Sequence, residues 1–330
     1  MTADARPVLV APDSFKGTLS APQVAMAIGQ GLDRAGVIGD LAPAADGGEG
    51  TQEVLLGRLG GEASRARVHD PLGREIDAEL ALLADGHTAI VEAAKASGLG
   101  LLAPDERDAE ATSSDGTGEL IAAAVLAGAA RITVCVGGTA STDGGAGAID
   151  ALQQAGGLRG AHLTVLCDVR TPFELAAERF APQKGADAAA IRRLRTRLER
   201  LATRLPRNPC GEAGTGAGGG LAGGLWAAFG ADLRPGAPFV LDALGFDRRL
   251  RSARAVIVGE GTLDRTTLEG KVAYEAAMRA RQIGVPAHAI VGANALGHFD
   301  ARILDLQEII EAQSLSAIAR AAEELARRAW

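Results

Sequence analysis

Four short loops of this sequence combine carboxylates, hydroxyls, lysines and glycines, which are residue types that bind phosphate groups and metal ions. The first loop contains Asp13, Ser14 and Lys16, and the second holds Asp46 and Glu49 among three glycines. A lysine with nearby hydroxyl groups suits a phosphate, and carboxylates among glycines suit a hard cation such as Mg²⁺. These two loops therefore predict a place where a phosphate and a metal ion are held.

The third and fourth loops repeat this composition. Residues 137–145 read GGTASTDGG, so their backbone N–H groups can converge on an oxyanion, and Asp143 adds a carboxylate. Residues 259–264 read GEGTLD, and Lys271 follows shortly afterwards. One such loop taken alone is more often an ordinary turn. Four of them in one chain favour a site for phosphate and metal.

Better-known motifs of the same chemistry are excluded. The chain contains neither G-x-x-x-x-G-K-[ST] nor G-x-S-x-G, which excludes a P-loop and a hydrolase nucleophile elbow. Residues 214–219 match G-x-G-x-x-G, but they follow CGEA instead of a strand, so they do not predict a dinucleotide site. The histidines are scattered without metal-binding spacing. Phosphoryl transfer needs positioned charges and at most a carboxylate base, so it needs no histidine.

The elements that must position these loops form an α/β pattern, with apolar strands alternating with amphipathic helices. Ligands bind at the carboxyl ends of strands in open α/β sheets, which is where the four loops lie. Strands are predicted at 7–11, 78–83, 88–92, 131–136, 162–167, 254–258, 285–291 and 309–310. Helices are predicted from 20, over 117–127, from 148, over 191–205, up to 282 and over 314–330.

The domain organisation follows from two stretches that interrupt this pattern. Turn residues Asp85 and Gly86 join two strand-like runs into an antiparallel hairpin, and an arginine-rich helix with a narrow apolar stripe follows later. We predict a Rossmann-like parallel-sheet domain with a smaller inserted α/β domain. The former takes residues 1–60, 110–158 and 251–330, and the latter takes residues 61–109 and 159–250.

Composition restricts the partners and the compartment. The chain has 330 residues, a formal net charge of −7 and 3% aromatic residues, which argues against nucleic-acid and anionic-membrane surfaces. The three cysteines have no metal-type spacing, and an odd, sparse count is typical of reduced thiols. The first residues lack a signal-peptide pattern, and no apolar run reaches the length of a membrane span. We expect a soluble cytoplasmic protein.

Taken together, the loops resemble those of the bacterial glycerate kinase family, which is unrelated to P-loop kinases. The resemblance extends over almost the whole chain, in the order found in the family. The segments that carry it are VLVAPDSFKGTLSA (8–21), PAADGGEGT (43–51), DPLGR (70–74), VEAAKASGLGLL (91–102), SDGTGELI (114–121), VGGTASTDGGAGA (136–148), CDV (167–169), APQKGAD (181–187), GTGAGGGLAGGL (214–225), ADLRPG (231–236) and VGEGTLDRTTLEGKV (258–272).

The resemblance implies a kinase that uses ATP and Mg²⁺ to phosphorylate D-glycerate, with 2-phosphoglycerate the more usual product and the active site in an interdomain cleft. Among the residues it implies, Asp143 is the first choice for the proton acceptor. The implied catalytic residues are Asp13, Lys16, Asp143 and Lys184. The implied substrate and phosphate ligands are Ser14, Gly137, Gly138, Thr139, Ser141, Thr142, Asp168 and Lys271. The implied metal ligands are Asp46, Glu49, Glu260 and Asp264.

Some positions depart from the family pattern. Thr142 stands where an asparagine is usual, Thr262 and Thr266 replace an arginine and a glutamine, and the loop 172–182 is shortened. A kinase that gives 3-phosphoglycerate or that acts on another small hydroxy acid therefore remains an alternative. A non-catalytic sugar-acid sensor is disfavoured because the acidic and glycine-rich loops are retained. The sequence leaves open whether the chain forms a homodimer.

Overall fold

The computed structural model describes residues 5–15 and 17–330, apart from the side chain of His298. Within this range the chain forms two compact units. The terminal unit consists of Met1–Asp46 and Ala237–Trp330, and the central unit is the continuous segment Gly47–Gly236. The α/β class and the parallel pairing of strands that the sequence predicts are confirmed in both units.

The strands of the described residues are β1 (Val8–Pro12), β2 (Gly39–Leu41), β3 (Gly61–His69), β4 (Glu75–Leu83), β5 (Thr88–Glu92), β6 (Arg131–Cys135), β7 (His162–Cys167), β8 (Asp232–Pro235), β9 (Ala255–Gly259), β10 (Thr262–Leu263), β11 (Ala287–Val291), β12 (Ala293–Asn294) and β13 (Leu306–Glu311). The α-helices are α1 (Ala21–Arg34), α2 (Thr51–Leu59), α3 (Ala94–Ser97), α4 (Asp115–Leu126), α5 (Ala146–Gln154), α6 (Ala176–Phe180), α7 (Ala188–Ala202), α8 (Leu221–Phe229), α9 (Gly236–Ala243), α10 (Phe246–Arg251), α11 (Val272–Gln282), α12 (His298–Leu304) and α13 (Leu315–Ala329). Short 3₁₀ helices lie at Leu99–Leu101, Pro104–Glu106, Phe173–Leu175, Pro182–Lys184 and Arg265–Glu269.

The terminal unit is built on a parallel sheet with the strand order β13-β11-β9-β1-β2. Helices α1 and α13 pack against each other and contribute Ile28, Leu32, Ile318 and Leu325 to its core. Helix α1 begins with the predicted capping box, in which the Ser20 side chain accepts from a backbone N–H and Gln23 reciprocates. The apolar stripe that predicts this helix is the face it buries.

The central unit contains a mixed sheet with the strand order β3-β4-β5-β6-β7-β8. Strands β3, β4 and β5 are antiparallel, which confirms the predicted hairpin, and β5 to β8 are parallel. Helices α4, α5 and α8 supply Leu120, Leu152 and Leu225 to the main core of this unit. A second cluster forms where Leu194 and Leu198 of α7 pack with Phe173.

The structure divides the chain differently from the sequence-based partition. Residues 47–60 and 110–158, expected in the same domain as the chain termini, belong to the central unit. The reason is that β6 is the parallel neighbour of β5, with Ile90 opposite Thr133, so the hairpin and the following strands share one sheet. Residues 237–250, expected in the inserted domain, belong to the terminal unit, and the inserted unit is the larger of the two.

The two ends of the central unit lie side by side. A Cβ atom built on Gly47 would be 2.7 Å from the Cα of Gly236, and the φ of Gly47 is +89°. A side chain at Gly47 would therefore meet the backbone of the returning strand in an unfavourable conformation. This close approach is what an insertion into a surrounding domain requires.

Each unit contains one of the two tryptophans of the sequence. In the central unit, the guanidinium carbon of Arg207 lies 4.5 Å from the ring centre of Trp226. In the terminal unit, the guanidinium carbon of Arg254 lies 5.6 Å from the ring centre of Trp330. The Trp330 ring also makes an edge contact with the ring of His288. Among residues 5–15 and 17–330, no helix is both long and apolar enough to cross a bilayer.

Candidate functional site

The terminal unit contains a pocket of about 460 Å³ that collects several residues expected to carry chemistry. Strands β1 and β9 are in register, with Pro12 beside Gly259, and the backbone N–H of Asp13 donates to the carbonyl of Gly259 at 2.8 Å. The loops at the carboxyl ends of both strands therefore begin side by side. The predicted residues that line the pocket are Asp13, Ser14, Glu260, Asp264 and Lys271.

Glu260 is a buried carboxyl group of this pocket, as is Asp13. Burial raises the pKa of Glu260 to about 7, and the charges of Asp264 and Asp46 act in the same direction. The charge of Lys271 and the hydrogen bond from Thr267 oppose this shift. Its Oε1 accepts from Thr267 Oγ1 at 2.9 Å, and its Oε2 lies 3.8 Å from Lys271 Nζ. The pocket thus holds a carboxyl group that ionises close to neutral pH.

Asp264 begins the short helix Arg265–Glu269 and is held rigidly there. Its Oδ1 accepts from the Thr266 backbone N–H at 2.8 Å and from the Thr266 hydroxyl at 2.6 Å. Burial alone would raise the pKa of Asp264, but the hydrogen bonds from Thr266 and the charge of Lys271 outweigh it and lower the pKa. Thr266, a departure from the family pattern, therefore supports a carboxylate of the pocket.

The carboxylates of the terminal unit fit a divalent cation by their chemistry. The charges of Asp46 and Asp264 both act on Glu260, so three carboxyl groups of this unit influence one another. Within the described part of the chain, no three His, Cys, Asp or Glu side chains already surround one point. Mg²⁺ in kinases takes one or two carboxylates and completes its shell with phosphates and water, so a full protein cage is not needed.

In the central unit, the glycine loop after β6 is shaped for close backbone approach. Gly138, Gly144 and Gly145 have φ values of +75°, +70° and +79°. The hydroxyl oxygens of Ser141 and Thr142 are buried, and the described residues offer them no hydrogen-bond partner. Buried hydroxyl groups left unpaired are costly, which is typical of groups that wait for a ligand.

Lys184 reaches this loop from the helix Pro182–Lys184. Its side chain is 2% exposed, and its Nζ donates to the carbonyl of Ser141 and, at 3.4 Å, to Thr139 Oγ1. Burial lowers the pKa of Lys184 to about 8, although Asp143 opposes the shift. The loop and this lysine therefore form one packed unit.

Two predicted carboxylates approach the same loop. A Cβ atom built on Gly137 would be 3.7 Å from Oδ2 of Asp168, and one built on Gly138 would be 3.8 Å from Oε2 of Glu49. Asp168 follows β7, the neighbour of β6, and Glu49 precedes Gly50, the N-cap of α2. The central unit thus gathers glycine backbone, hydroxyls, carboxylates and a lysine in one place.

Asp143, the expected proton acceptor, accepts hydrogen bonds from its own loop and from the start of α4. Its Oδ2 accepts from the backbone N–H and hydroxyl of Ser114 and from the N–H of Gly147, and its Oδ1 accepts from the N–H of Gly145. Three of these donors reach Oδ2 and one reaches Oδ1, and together they join the start of α4 to the start of α5. The contacts indicate a residue that holds the glycine loop in shape.

Sequence reasoning missed Glu92, the last residue of β5. It is 1% exposed, and its Oε1 accepts from the backbone N–H of Gln52 in the first turn of α2 at 2.7 Å. Burial and the charge of Glu49 raise its pKa, against the hydrogen bonds and Lys95. A carboxylate that ends an otherwise apolar strand, TAIVE, was the available signal.

The predicted site residues therefore form two groups. Lys16 lies outside the described residues. The terminal unit holds Asp13, Ser14, Asp46, Glu260, Asp264 and Lys271. The central unit holds Glu49, Gly137, Gly138, Thr139, Ser141, Thr142, Asp143, Asp168 and Lys184.

Comparison with known proteins gives the same assignment throughout the chain. A sequence model described as the Glycerate kinase family matches residues 8–156 and 153–329. A glycerate kinase of Halalkalibacterium halodurans is 37% identical over 330 residues, covering 88% of this chain and 86% of that protein. A glycerate 2-kinase of Escherichia coli strain K12 is 35% identical over 324 residues, covering 86% and 84%.

A solved structure agrees with the sequence relatives. A crystal structure from Salmonella typhimurium LT2 that carries the name glycerate kinase 2 superposes with a TM-score of 0.83 at 34% identity, covering 98% of both chains. The chain described here belongs to the glycerate kinase family.

Proposed function

We propose that this chain is an ATP-dependent kinase that transfers the γ-phosphoryl group of ATP to D-glycerate and gives 2-phosphoglycerate. The observation that carries the proposal is the meeting of Asp13, Ser14, Glu260, Asp264 and Lys271 around one pocket, in a member of the glycerate kinase family. Phosphoryl transfer relies on positioning and on neutralised charge, and these side chains supply both. Since ATP is made and used in the cytoplasm, we expect the enzyme to work there.

Charge neutralisation is assigned to the lysines and to the backbone amides. In this proposal Lys271, together with Lys16 of the first loop, binds phosphate oxygens. A second anionic group is bound by the backbone N–H groups of residues 137–145 and by the hydroxyl groups of Ser141 and Thr142. Asp46 and Asp264 hold Mg²⁺, with Glu260 and Glu49 as further candidates. When bound, Mg²⁺ offsets the negative charge of the nucleotide phosphates.

The acceptor hydroxyl must lose a proton as it attacks phosphorus. Asp143 is a poor proton acceptor because four donors already occupy its oxygens. Glu260 is the better candidate, because it lines the pocket and its pKa of about 7 is suited to general-base catalysis at neutral pH. Lys271, 3.8 Å from Glu260 Oε2, stabilises the ionised form.

A direct test combines two measurements on the purified protein. An assay coupled to ADP formation is run with ATP, Mg²⁺ and a panel of small hydroxy acids, and D-glycerate is expected to give the highest kcat/KM. Phosphorus NMR of the product is expected to show the ester at the 2-hydroxyl. Absence of ADP formation with every acid would reject the kinase and favour the sugar-acid sensor.

The same assay also distinguishes D-glycerate from other acceptor substrates. Thr262 lines the pocket at the position where the family usually has an arginine, and a guanidinium there would suit a carboxylate. This favours testing a kinase for another hydroxy acid, or one that gives 3-phosphoglycerate, as the alternative. A higher kcat/KM for another acid in the panel, or an ester at the 3-hydroxyl, would establish it.

A further inference from the structure

Helix α7 of the central unit turns a row of arginines away from the protein core. Its buried stripe, which includes Ala190, Leu194 and Leu198, packs against the cluster around Phe173. Residues spaced by three or four along a helix share a face, so fixing the apolar stripe fixes the direction of the arginines. The remaining face carries the charge.

These arginines line a pocket of about 780 Å³, which we call the α7 pocket. Small-molecule sites commonly have volumes of about 300–1,000 Å³, so this pocket has the size of a ligand site. Its apolar lining is limited to Ala146, Ala189 and Leu201. The arginines that line it are Arg192, Arg193, Arg197 and Arg200 of α7 and Arg204, which follows the end of α7.

Part of this positive charge has no partner among the described residues of the protein. Arg193 forms two hydrogen bonds with the carboxylate of Glu110, at 2.8 and 2.6 Å, and Arg197 donates to the Glu110 carbonyl. Arg192 has no ion-pair or hydrogen-bond partner for its side chain among the described residues, but its charge interacts with that of Asp187. For Arg200 and Arg204, the described residues show no ion-pair or hydrogen-bond partner for the side chain.

Two comparisons show that the unpaired charge belongs to the pocket. Asp143 is the carboxylate among the lining residues, and its charge also acts on Lys184, so the lining holds one carboxylate against five arginines. Arg195 lies on the same helix but does not line the pocket, and it pairs with Glu199 and Glu178. The side of α7 that lines the pocket thus keeps guanidinium groups free, although the whole chain has a net charge of −7.

We infer that the α7 pocket binds a small oligophosphate anion, a molecule with two or three linked phosphate groups such as a nucleoside di- or triphosphate. Guanidinium groups bind phosphate oxygens in pairs, and arginines on successive helical turns lie about 6 Å apart, so linked phosphates can engage two turns. The lining includes no aromatic side chain on which a base could stack, so the arginines and the phosphates dominate recognition. This binding does not depend on the proposed kinase activity.

The test is isothermal titration calorimetry of the whole protein with tripolyphosphate in magnesium-free buffer. The wild-type protein is expected to bind it with an affinity that falls as salt is added. The double variant Arg200→Ala/Arg204→Ala is expected to bind at least tenfold more weakly. The matched control Arg195→Ala, on the same helix but outside the pocket, is expected to stay within twofold of wild type.

Equal binding by the double variant and the wild type would overturn the inference, because the phosphate would then be bound elsewhere. No binding to the wild type at millimolar tripolyphosphate would overturn it too. Circular dichroism of the double variant checks its fold, and its ADP formation with D-glycerate is measured separately. Loss of binding with retained turnover supports a site distinct from the catalytic one, and turnover reports independently on the proposed kinase.

A parallel titration with ATP identifies the source of the phosphates. Tighter binding of ATP than of tripolyphosphate, with the difference abolished in Arg200→Ala/Arg204→Ala, supports a nucleotide as the occupant. Equal affinities that are both weakened in the double variant support a free oligophosphate. Either result agrees with the shared phosphate chemistry of the α7 pocket.

Discussion

Two buried ionisable side chains have pKa values that are shifted toward neutral pH, one from below and one from above. Burial raises the pKa of Glu260 to about 7 and lowers that of Lys184 to about 8. In both cases burial removes water from the charged form, and nearby groups of opposite charge compensate for only part of that cost. Groups of this kind concentrate at functional sites, which is consistent with both having been selected from the sequence.

Replacing Glu260 by glutamine tests its place in catalysis. The amide keeps the shape of the side chain but neither accepts a proton nor carries charge, so Glu260→Gln is expected to lower kcat at least about 100-fold. The ADP-coupled assay measures this loss, and denaturant unfolding checks that the fold is retained. The exposed Glu324 on α13 provides the matched control, Glu324→Gln, which should behave as wild type. A kcat within threefold of wild type for Glu260→Gln would remove this carboxyl group from the mechanism.

Lys184→Met tests the buried lysine through stability. The folded pKa of about 8 lies below the usual value of 10.5, so between these pH values the unfolded chain binds more protons and the free energy of unfolding rises with pH. The methionine variant lacks this contribution. The wild type should therefore gain up to about 3 kcal/mol relative to Lys184→Met across that interval.

Urea unfolding at several pH values between 8 and 10.5 measures the gain. Lys95→Met, which replaces an exposed lysine of the same unit, is the control and should follow the wild-type curve. Parallel curves for wild type and Lys184→Met would show that the lysine titrates as it does in water.

At the scale of helices and strands, close packing of small residues decides where elements can meet. Helices α1 and α13 approach so closely at Gly31 that a Cβ atom there would be 2.1 Å from the carbonyl oxygen of Ala319 and 2.8 Å from the Cβ of Ala322. Backbone atoms cannot move aside to admit a methyl group, as the end of a flexible side chain can. The glycine thus fixes the distance between the two helices.

Gly31→Ala is therefore expected to destabilise the terminal unit by about 3 kcal/mol, because the helices must separate to admit the methyl group. Gly57 lies in α2, and a Cβ atom there would meet nothing within 4 Å. Since alanine is the better helix former, Gly57→Ala should stabilise the central unit by up to about 1 kcal/mol. Chemical denaturation of both variants provides the comparison, and an equal effect of the two substitutions would contradict the packing argument.

The elements with strong local signals could be predicted from sequence. The hairpin formed by β4 and β5 and the capped start of α1 were predicted and confirmed. Strand β3 was missed because it lies at the edge of its sheet, and its exposed residues Glu62, Arg65 and Arg67 weaken the apolar alternation that identifies strands. Asp143 was chosen as a base because its type and loop suited one, and only the coordinates showed its four donors.

At the scale of the whole molecule, the chain leaves the terminal unit once, builds the entire central unit and returns. The sequence suggested an insertion, but the expected borders differ from those of the compact units, because pairing between β5 and β6 joins residues 43 positions apart and leaves no local pattern. The meeting of Gly47 and Gly236 shows the borders directly.

Residues 47–236 produced alone are expected to fold, since this segment contains its own sheet and core and its ends already lie together. Circular dichroism and cooperative urea unfolding of the fragment check this. The fragment 159–250, part of the domain expected from sequence, lacks β5 and β6 and should not unfold cooperatively. Cooperative unfolding of 159–250 but not of 47–236 would restore the sequence-based borders.

The separate positions of Trp226 and Trp330 give each unit its own intrinsic fluorophore. Both rings lie next to a guanidinium group and change surroundings when their unit unfolds. Trp226→Phe leaves emission that reports on the terminal unit, and Trp330→Phe leaves emission that reports on the central one. Melting curves of the two variants can therefore follow each half of the enzyme without any added dye.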